Sequence, residues 1–230
     1  MARRDPGRYP PAMNLLALLG LGLVLGLRHA ADPDHVVAVT AITARTRRLG
    51  PAAWLGVVWG LGHTLTLFAV GSLIILFNLV VPPRLGLTFE FAVAIALVVV
   101  GLLNLRGQPA QNQLDDSTRG LPAGRAFGVG LVHGLAGSAA VALLVLATVH
   151  DPLWACGYLL VFGAGTLIGM MLITTGVAAP LGLVSRRWNG FPQLARVGSG
   201  LLSLLFGVWL IYQVGWLEGL FGAVPRWTPH

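Results

Sequence analysis

From Gly26 to Thr43 the chain reads GLRHAADPDHVVAVTAIT. The residues on either side are apolar, yet Arg28, His29, Asp32, Asp34 and His35 fall within eight positions, with Pro33 among them. Pro33 has no backbone N–H, and its ring crowds the preceding turn. Asp32-Pro33 is also the pattern of an N-cap followed by the first position of a helix. A helix entering this stretch is expected to break at Pro33 and to restart near Asp34.

The composition says which solvent surrounds that break. Hydrophobic residues make up 56% of the 230 residues, charged residues 10%, and the mean hydropathy is +0.79. A soluble domain carries about 25% charged residues. This chain cannot cover a water-facing surface, so it reads as an all-α integral membrane protein. The net charge of +7 comes from arginine alone. Those arginines lie in short gaps between apolar runs, as topology signals do, and no basic, aromatic-interleaved patch invites nucleic acid. The lone Cys156 leaves no partner for a disulfide relay. Neither HExxH nor GxxxxGK[ST] occurs, which argues against a zinc protease and against ATP use by the chain itself. The first apolar run follows Arg3, Arg4 and Arg8 as a leader peptide would, but Arg28 and His29 stand where small neutral residues are needed for cleavage. It is read as a retained span.

Six apolar stretches reach the roughly 20 residues that a spanning helix needs. They are Met13 to about Ala44, interrupted at Asp32–Asp34; Ala52 to Val80, ending at Pro82-Pro83; Leu87 to Leu105; Ala126 to Val149; Leu153 to Ala179, closed by Pro180; and Gly198 to Leu217. Leu181 to Arg196 carries Arg186, Arg187, Trp188 and Phe191, which suits an interfacial segment. One transmembrane domain is expected over residues 1–230. Arginines concentrate in the gaps after spans one, three and five, whereas the gaps after two and four hold only Arg84. The odd gaps are therefore assigned to the cytoplasm and both termini to the outside of the cytoplasmic membrane.

The chain also echoes itself. GLRHAADPDHVVAV at Gly26 aligns with GLVHGLAGSAAVAL at Gly130, VVWGLGHTLT around Gly60 with LVFGAGTLIG around Gly163, and VVVGLLNL near Gly101 with LLFGVWLIY near Gly207. The spacing is nearly constant and equals three spans plus loops. Repeat one is placed at about 13–105, a cytoplasmic loop at 106–124 and repeat two at about 125–217. A three-span repeat must be inverted in the membrane, a plan common among secondary transporters with a site near the midplane. Small-xxx-small pairs at Gly22/Gly26, Gly56/Gly60, Gly130/Gly134 and Gly165/Gly169 would let four helices approach closely.

An aspartate at mid-bilayer costs about 2.5–3.5 kcal/mol on insertion scales, so intramembrane ionisable groups are read as functional. Imidazole nitrogen together with carboxylate oxygen suits a borderline divalent transition metal. A break at Pro33 would let His29, Asp34 and His35 converge. His63, in GLGHTLTLF, is assigned as a further ligand or as a residue that orients one. His133 occupies the position equivalent to His29, but Asp34 and His35 are replaced there by Ser138 and Ala139, so the site is expected to be asymmetric. His133 is read as a gate, an orienting residue or packing. Arg28 is expected to pair with Asp32 or to line the cytoplasm-facing wall.

The run Arg28-His29-Ala30-Ala31-Asp32-Pro33-Asp34-His35 resembles the His-x4-Asp-His signature of the nickel/cobalt transporter family. WGLGHTLTLF at Trp59–Phe68 and GLVHGLAGSAAVALLVLATV at Gly130–Val149 are similar to its six-helix, UreH-like branch. The likeness covers most of Met13 to Leu217. It implies a permease that moves Ni2+ or Co2+ as substrate, without a resident cofactor, and a link to maturation of a nickel enzyme such as urease. The residues carried over as metal ligands are His29, Asp34 and His35, with Asp32 at the other acidic position; the residue reading adds His63 as a ligand and Arg28, Thr64, His133 and Ser138 as outer-shell or gating candidates. Pro33 departs from the alanine of longer members. The loop 107–124 lacks the histidine-rich run of some efflux members, which points to uptake. Homo-oligomerisation stays open. The competing readings are an intramembrane serine hydrolase pairing His133 with Ser138 or Ser199, and an exporter of another ion.

Overall fold

The computed structural model describes residues 15–44, 49–77, 81–106, 120–135, 152–188 and 190–227. Within them the chain forms seven helices: α1 (Leu15–His29), α2 (Pro33–Thr43), α3 (Leu49–Phe77), α4 (Pro83–Leu105), α5 (Gly120–His133), α6 (Pro152–Arg187) and α7 (Phe191–Tyr212). A π-helical turn, Gln213–Leu217, extends α7. There is no strand among the described residues.

Four of these helices, α3, α4, α6 and α7, are long and apolar enough to cross a bilayer, and α1 with α2 makes a fifth, broken span bent by 56°. Leu16, Leu65, Ile95, Leu172 and Leu205 stand exposed on different helices. Apolar surface on so many sides, on helices of spanning length, fits a lipid surround. The chain is thus an all-helical, multi-pass membrane protein.

Seven helices appear where six were expected because the first span is split. Asp32 is the extended N-cap residue of α2 and Pro33 opens it, as the sequence suggests. The Asp32 side chain makes no capping bond; it is engaged with His29 instead. Most of the expected fourth span beyond Leu135, with Ser138 and Ala139, lies outside the described residues, as do Arg45, Arg47 and Arg48. Two boundaries need correction. Helix α5 starts at Gly120, so the last residues of the expected loop 106–124 are helical, with Pro122 in the first turn where its missing N–H costs nothing. Helix α6 runs through Pro180 to Arg187, so Leu181–Arg196 is no separate interfacial segment. Ending the helix at Pro180 would strip a whole turn of its backbone partners, whereas carrying the proline forfeits little in a packed membrane helix.

Helix α1 packs on α6, α3 packs on both α5 and α6, and α4 packs on α7. Glycine sets these crossings. A Cβ at Gly26 would overlap the Phe162 carbonyl, and one at Gly130 the Trp59 carbonyl. A Cβ at Gly60 would stand 3.0 Å from Leu167 Cα, and one at Gly163 would overlap the Thr64 side chain. Gly101 meets Gly200 and Leu204, whereas Gly207 meets Ala94 and Val98. The far end of α2 is held by Asn104, whose Nδ2 donates to the Ala41 carbonyl and whose own carbonyl accepts from Arg196 Nη1 at 2.7 Å.

Candidate metal centre

The break between α1 and α2 puts His29 on the last turn of one helix and His35 on the first turn of the next. Helix α3 delivers His63 to the same point. Glycine permits that delivery: a Cβ at Gly62 would overlap the Phe127 carbonyl of α5, and α6 seats closely on α3 at Gly60. All three histidines are buried, His35 completely.

Their rings form a tight group. Centroids are 4.7 Å apart for His29–His35, 5.0 Å for His29–His63 and 5.0 Å for His35–His63. One ring nitrogen of each can be chosen so that all three lie within 4.8 Å of one another. An imidazole nitrogen binds a transition-metal ion at about 2.0–2.1 Å, which puts the ring centroid about 3.2 Å from the ion. Two rings sharing one ion at right-angle to tetrahedral separations then lie about 4.5–5 Å apart. The trio has that spacing.

The two aspartates stand behind the rings. His29 Nδ1 donates to Asp32 Oδ2 at 2.9 Å, and His35 Nδ1 donates to Asp34 Oδ1 at 3.0 Å. An ionised carboxylate can only accept, so each Nδ1 carries a proton, and in the neutral ring each Nε2 is left bare. His29 Nε2 lies 3.0 Å from His63 Nε2. Since His29 Nε2 is bare, His63 Nε2 is the donor, and His63 Nδ1 is buried without a partner. His35 Nε2 is likewise buried without a partner. A carboxylate behind an imidazole whose other nitrogen is free is the usual outer shell of a metal-ligating histidine. The carboxylates are also the accessible part of the site: the Asp32 side chain is 30% exposed and Asp34 15%. Asp32, Asp34 and His35 form a second group of closely spaced donor atoms, sharing His35 with the first.

The remaining candidates fall in different places. Arg28 is exposed and makes no ion pair among the described residues, because Asp32 faces His29. Thr64 donates to the Gly163 carbonyl at 3.2 Å, tying α3 to α6 rather than meeting a ring. His133 is fully buried, and its ring meets those of His35 and Trp59 at 5.5 and 5.3 Å. Ser199 bonds the Arg196 carbonyl and Asn104, whereas His133 Nδ1 donates to the Val129 carbonyl; nothing here joins them into a nucleophile–base pair. Trp59, whose ring stacks on His35 with 10° between planes, was not singled out from sequence. Its place beside Gly60 and Gly62 in the same turn as His63 was the available signal.

No family model matches the sequence, and no solved structure matches it. The urease accessory protein UreH of Bacillus sp. (strain TB-90) is 37% identical to it, over 91% of this chain and 96% of the relative. Identity of that extent makes the chain a member of the UreH family, the branch of nickel/cobalt transporters that its motifs resemble.

Proposed function

We propose that the protein carries a divalent transition-metal ion, Ni2+ or Co2+, across the cytoplasmic membrane, by uptake, with His29, His35 and His63 as its ligands and Asp32 and Asp34 orienting two of them. The observation that carries this reading is the trio of buried imidazoles at metal-sharing distance with carboxylates behind two of the rings. A purely structural cluster would leave its nitrogens satisfied, and here His35 Nε2 and His63 Nδ1 are not. Binding would replace the His29–His63 hydrogen bond by two bonds to the ion, with the His63 proton moving to Nδ1. Nitrogen ligands without sulfur favour nickel and cobalt over copper(I), and disfavour calcium and magnesium. A relative named for urease, a nickel enzyme, supports nickel as cargo and supply of urease maturation as its destination.

An inverted three-span repeat is part of the proposal. It is supported by contacts that exchange between the halves. Gly26 on Phe162 corresponds to Gly130 on Trp59, Gly60 on Leu167 to Gly163 on Thr64, and Gly101 on Gly200 and Leu204 to Gly207 on Ala94 and Val98. Each residue is replaced by its counterpart at the spacing found in the sequence. A two-fold axis in the membrane plane would generate this pattern and would put the histidine trio near mid-membrane, where alternating access needs it. The orientation with both termini outside follows from the arginine distribution.

Proteoliposomes holding the purified protein should accumulate Ni2+ or Co2+ down an imposed gradient. His29→Ala should bring accumulation to the empty-vesicle level at unchanged protein content. Accumulation that survives this change would remove the histidine trio from the transport path.

A further inference from the structure

Among the described residues His133 is the one buried histidine that this ligand set does not use. Its Nδ1 donates to the Val129 carbonyl at 3.0 Å. A carbonyl only accepts, so the proton sits on Nδ1 and Nε2 is a bare lone pair. That Nε2 is buried and has no partner. His35 Nε2 is in the same state, and the two rings lie edge-on with centroids 5.5 Å apart. Both nitrogens are unmet polar groups in a dry interior, where each is costly. A cation between them removes both deficits. For rings bound at about 2.0–2.1 Å, a separation of this size corresponds to an angle of about 120° at the ion.

The place of His133 is built by its helix. A Cβ at Gly130 would come within 3.1 Å of the His63 backbone nitrogen, and one at Gly134 within 2.5 Å of the His63 carbonyl. Helix α5 is thus seated on the His63 turn, with Trp59 closing one side of both the His35 and the His133 ring.

We propose that His35 and His133 form a second position for the transported ion, reached from the trio by a pivot on His35. The inference rests on the transport reading above. His35 Nε2 is common to both positions, so they cannot be filled together and the protein holds one ion at a time. His133 comes from the second half of the chain, so the step hands the ion from one half to the other without releasing it to bulk water.

The test uses purified full-length protein, with Co2+ as probe, for wild type, His133→Ala and His133→Asn. Direct titration gives affinity and stoichiometry, and proteoliposomes give the rate of uptake. Both variants should bind one Co2+ per chain within about threefold of wild-type affinity, because the trio is intact, and should transport it at least about tenfold more slowly. The asparagine variant guards against a packing defect, since it keeps a polar side chain that can reach the Val129 carbonyl. Uptake at the wild-type rate in both variants would overturn the second position. So would loss of Co2+ binding in both, which would make His133 part of the first site, or two ions bound per wild-type chain. Failure of wild type itself to bind or move Co2+ would instead sink the transport reading.

Discussion

In the proposed inverted repeat His29 and His133 are counterparts, and the glycines of their helices meet counterpart residues, yet their surroundings differ. His29 has a carboxylate behind it and two imidazoles in front. His133 has a backbone carbonyl behind it and a tryptophan and one imidazole in front. The counterpart of His63 is Thr166, whose hydroxyl bonds the Phe162 carbonyl of its own helix. The packing is common to both halves and the chemistry is not. Glycine decides where helix backbones meet inside lipid, where there is no hydrophobic drive to press them together. A few polar side chains then decide which of two similar junctions can hold an ion.

Substitutions that touch the richer junction should have the largest effects. His35→Ala removes the ring that touches His29, His63 and His133 alike, and should lower Co2+ affinity by more than about a hundredfold and stop uptake, read by titration and vesicle flux. Asp34→Asn keeps the size of the side chain but frees the His35 ring from its charge, and should cost about 10- to 100-fold in affinity. Asp32→Asn should cost less, since Asp32 is the more exposed carboxylate. If the two asparagine variants fall in the reverse order, the carboxylates act as direct ligands at the mouth of the site and not as orienting groups.

The shared packing is broken by a different change. Gly26→Val and Gly130→Val each force a side chain into a facing carbonyl, and each should destabilise the protein by about 1–3 kcal/mol or more, measured by thermal unfolding in detergent. Gly128→Val, on α5 with open space at its Cβ, should stay within about 0.5 kcal/mol. Equal losses at Gly26 and Gly130 would sharpen the equivalence of the halves; a loss at one alone would break it. The smallest effect is expected at Arg28→Gln, with uptake within about twofold of wild type, because the exposed guanidinium pairs with no carboxylate among the described residues.

Much of this was legible in the sequence. Pro33 after Asp32 marked the break, and the cost of charge in lipid marked His29, His35 and His63 as a group. The glycine spacings marked the helix crossings. The sequence did not reveal which face of each aspartate is used. Asp32 and Asp34 read as ligands because carboxylates bind metals; their hydrogen bonds to the Nδ1 atoms of His29 and His35 depend on how the break folds and could not be read from sequence. Pro180 looked like a helix end because in water it often is one; inside a bilayer the alternative partners for the backbone are missing. His133 was visible as an echo of His29, but its ring contact with His35 depends on how α5 seats against α3.

The central claim is that three imidazoles share one ion with carboxylates held back from it. X-ray absorption at the nickel edge of the loaded protein tests it directly. The account predicts about three imidazole nitrogens at 2.0–2.1 Å, with the imidazole signature reduced in His63→Ala and unchanged in number in Asp32→Asn. A shell of carboxylate and water oxygens alone, indifferent to His63→Ala, would contradict it.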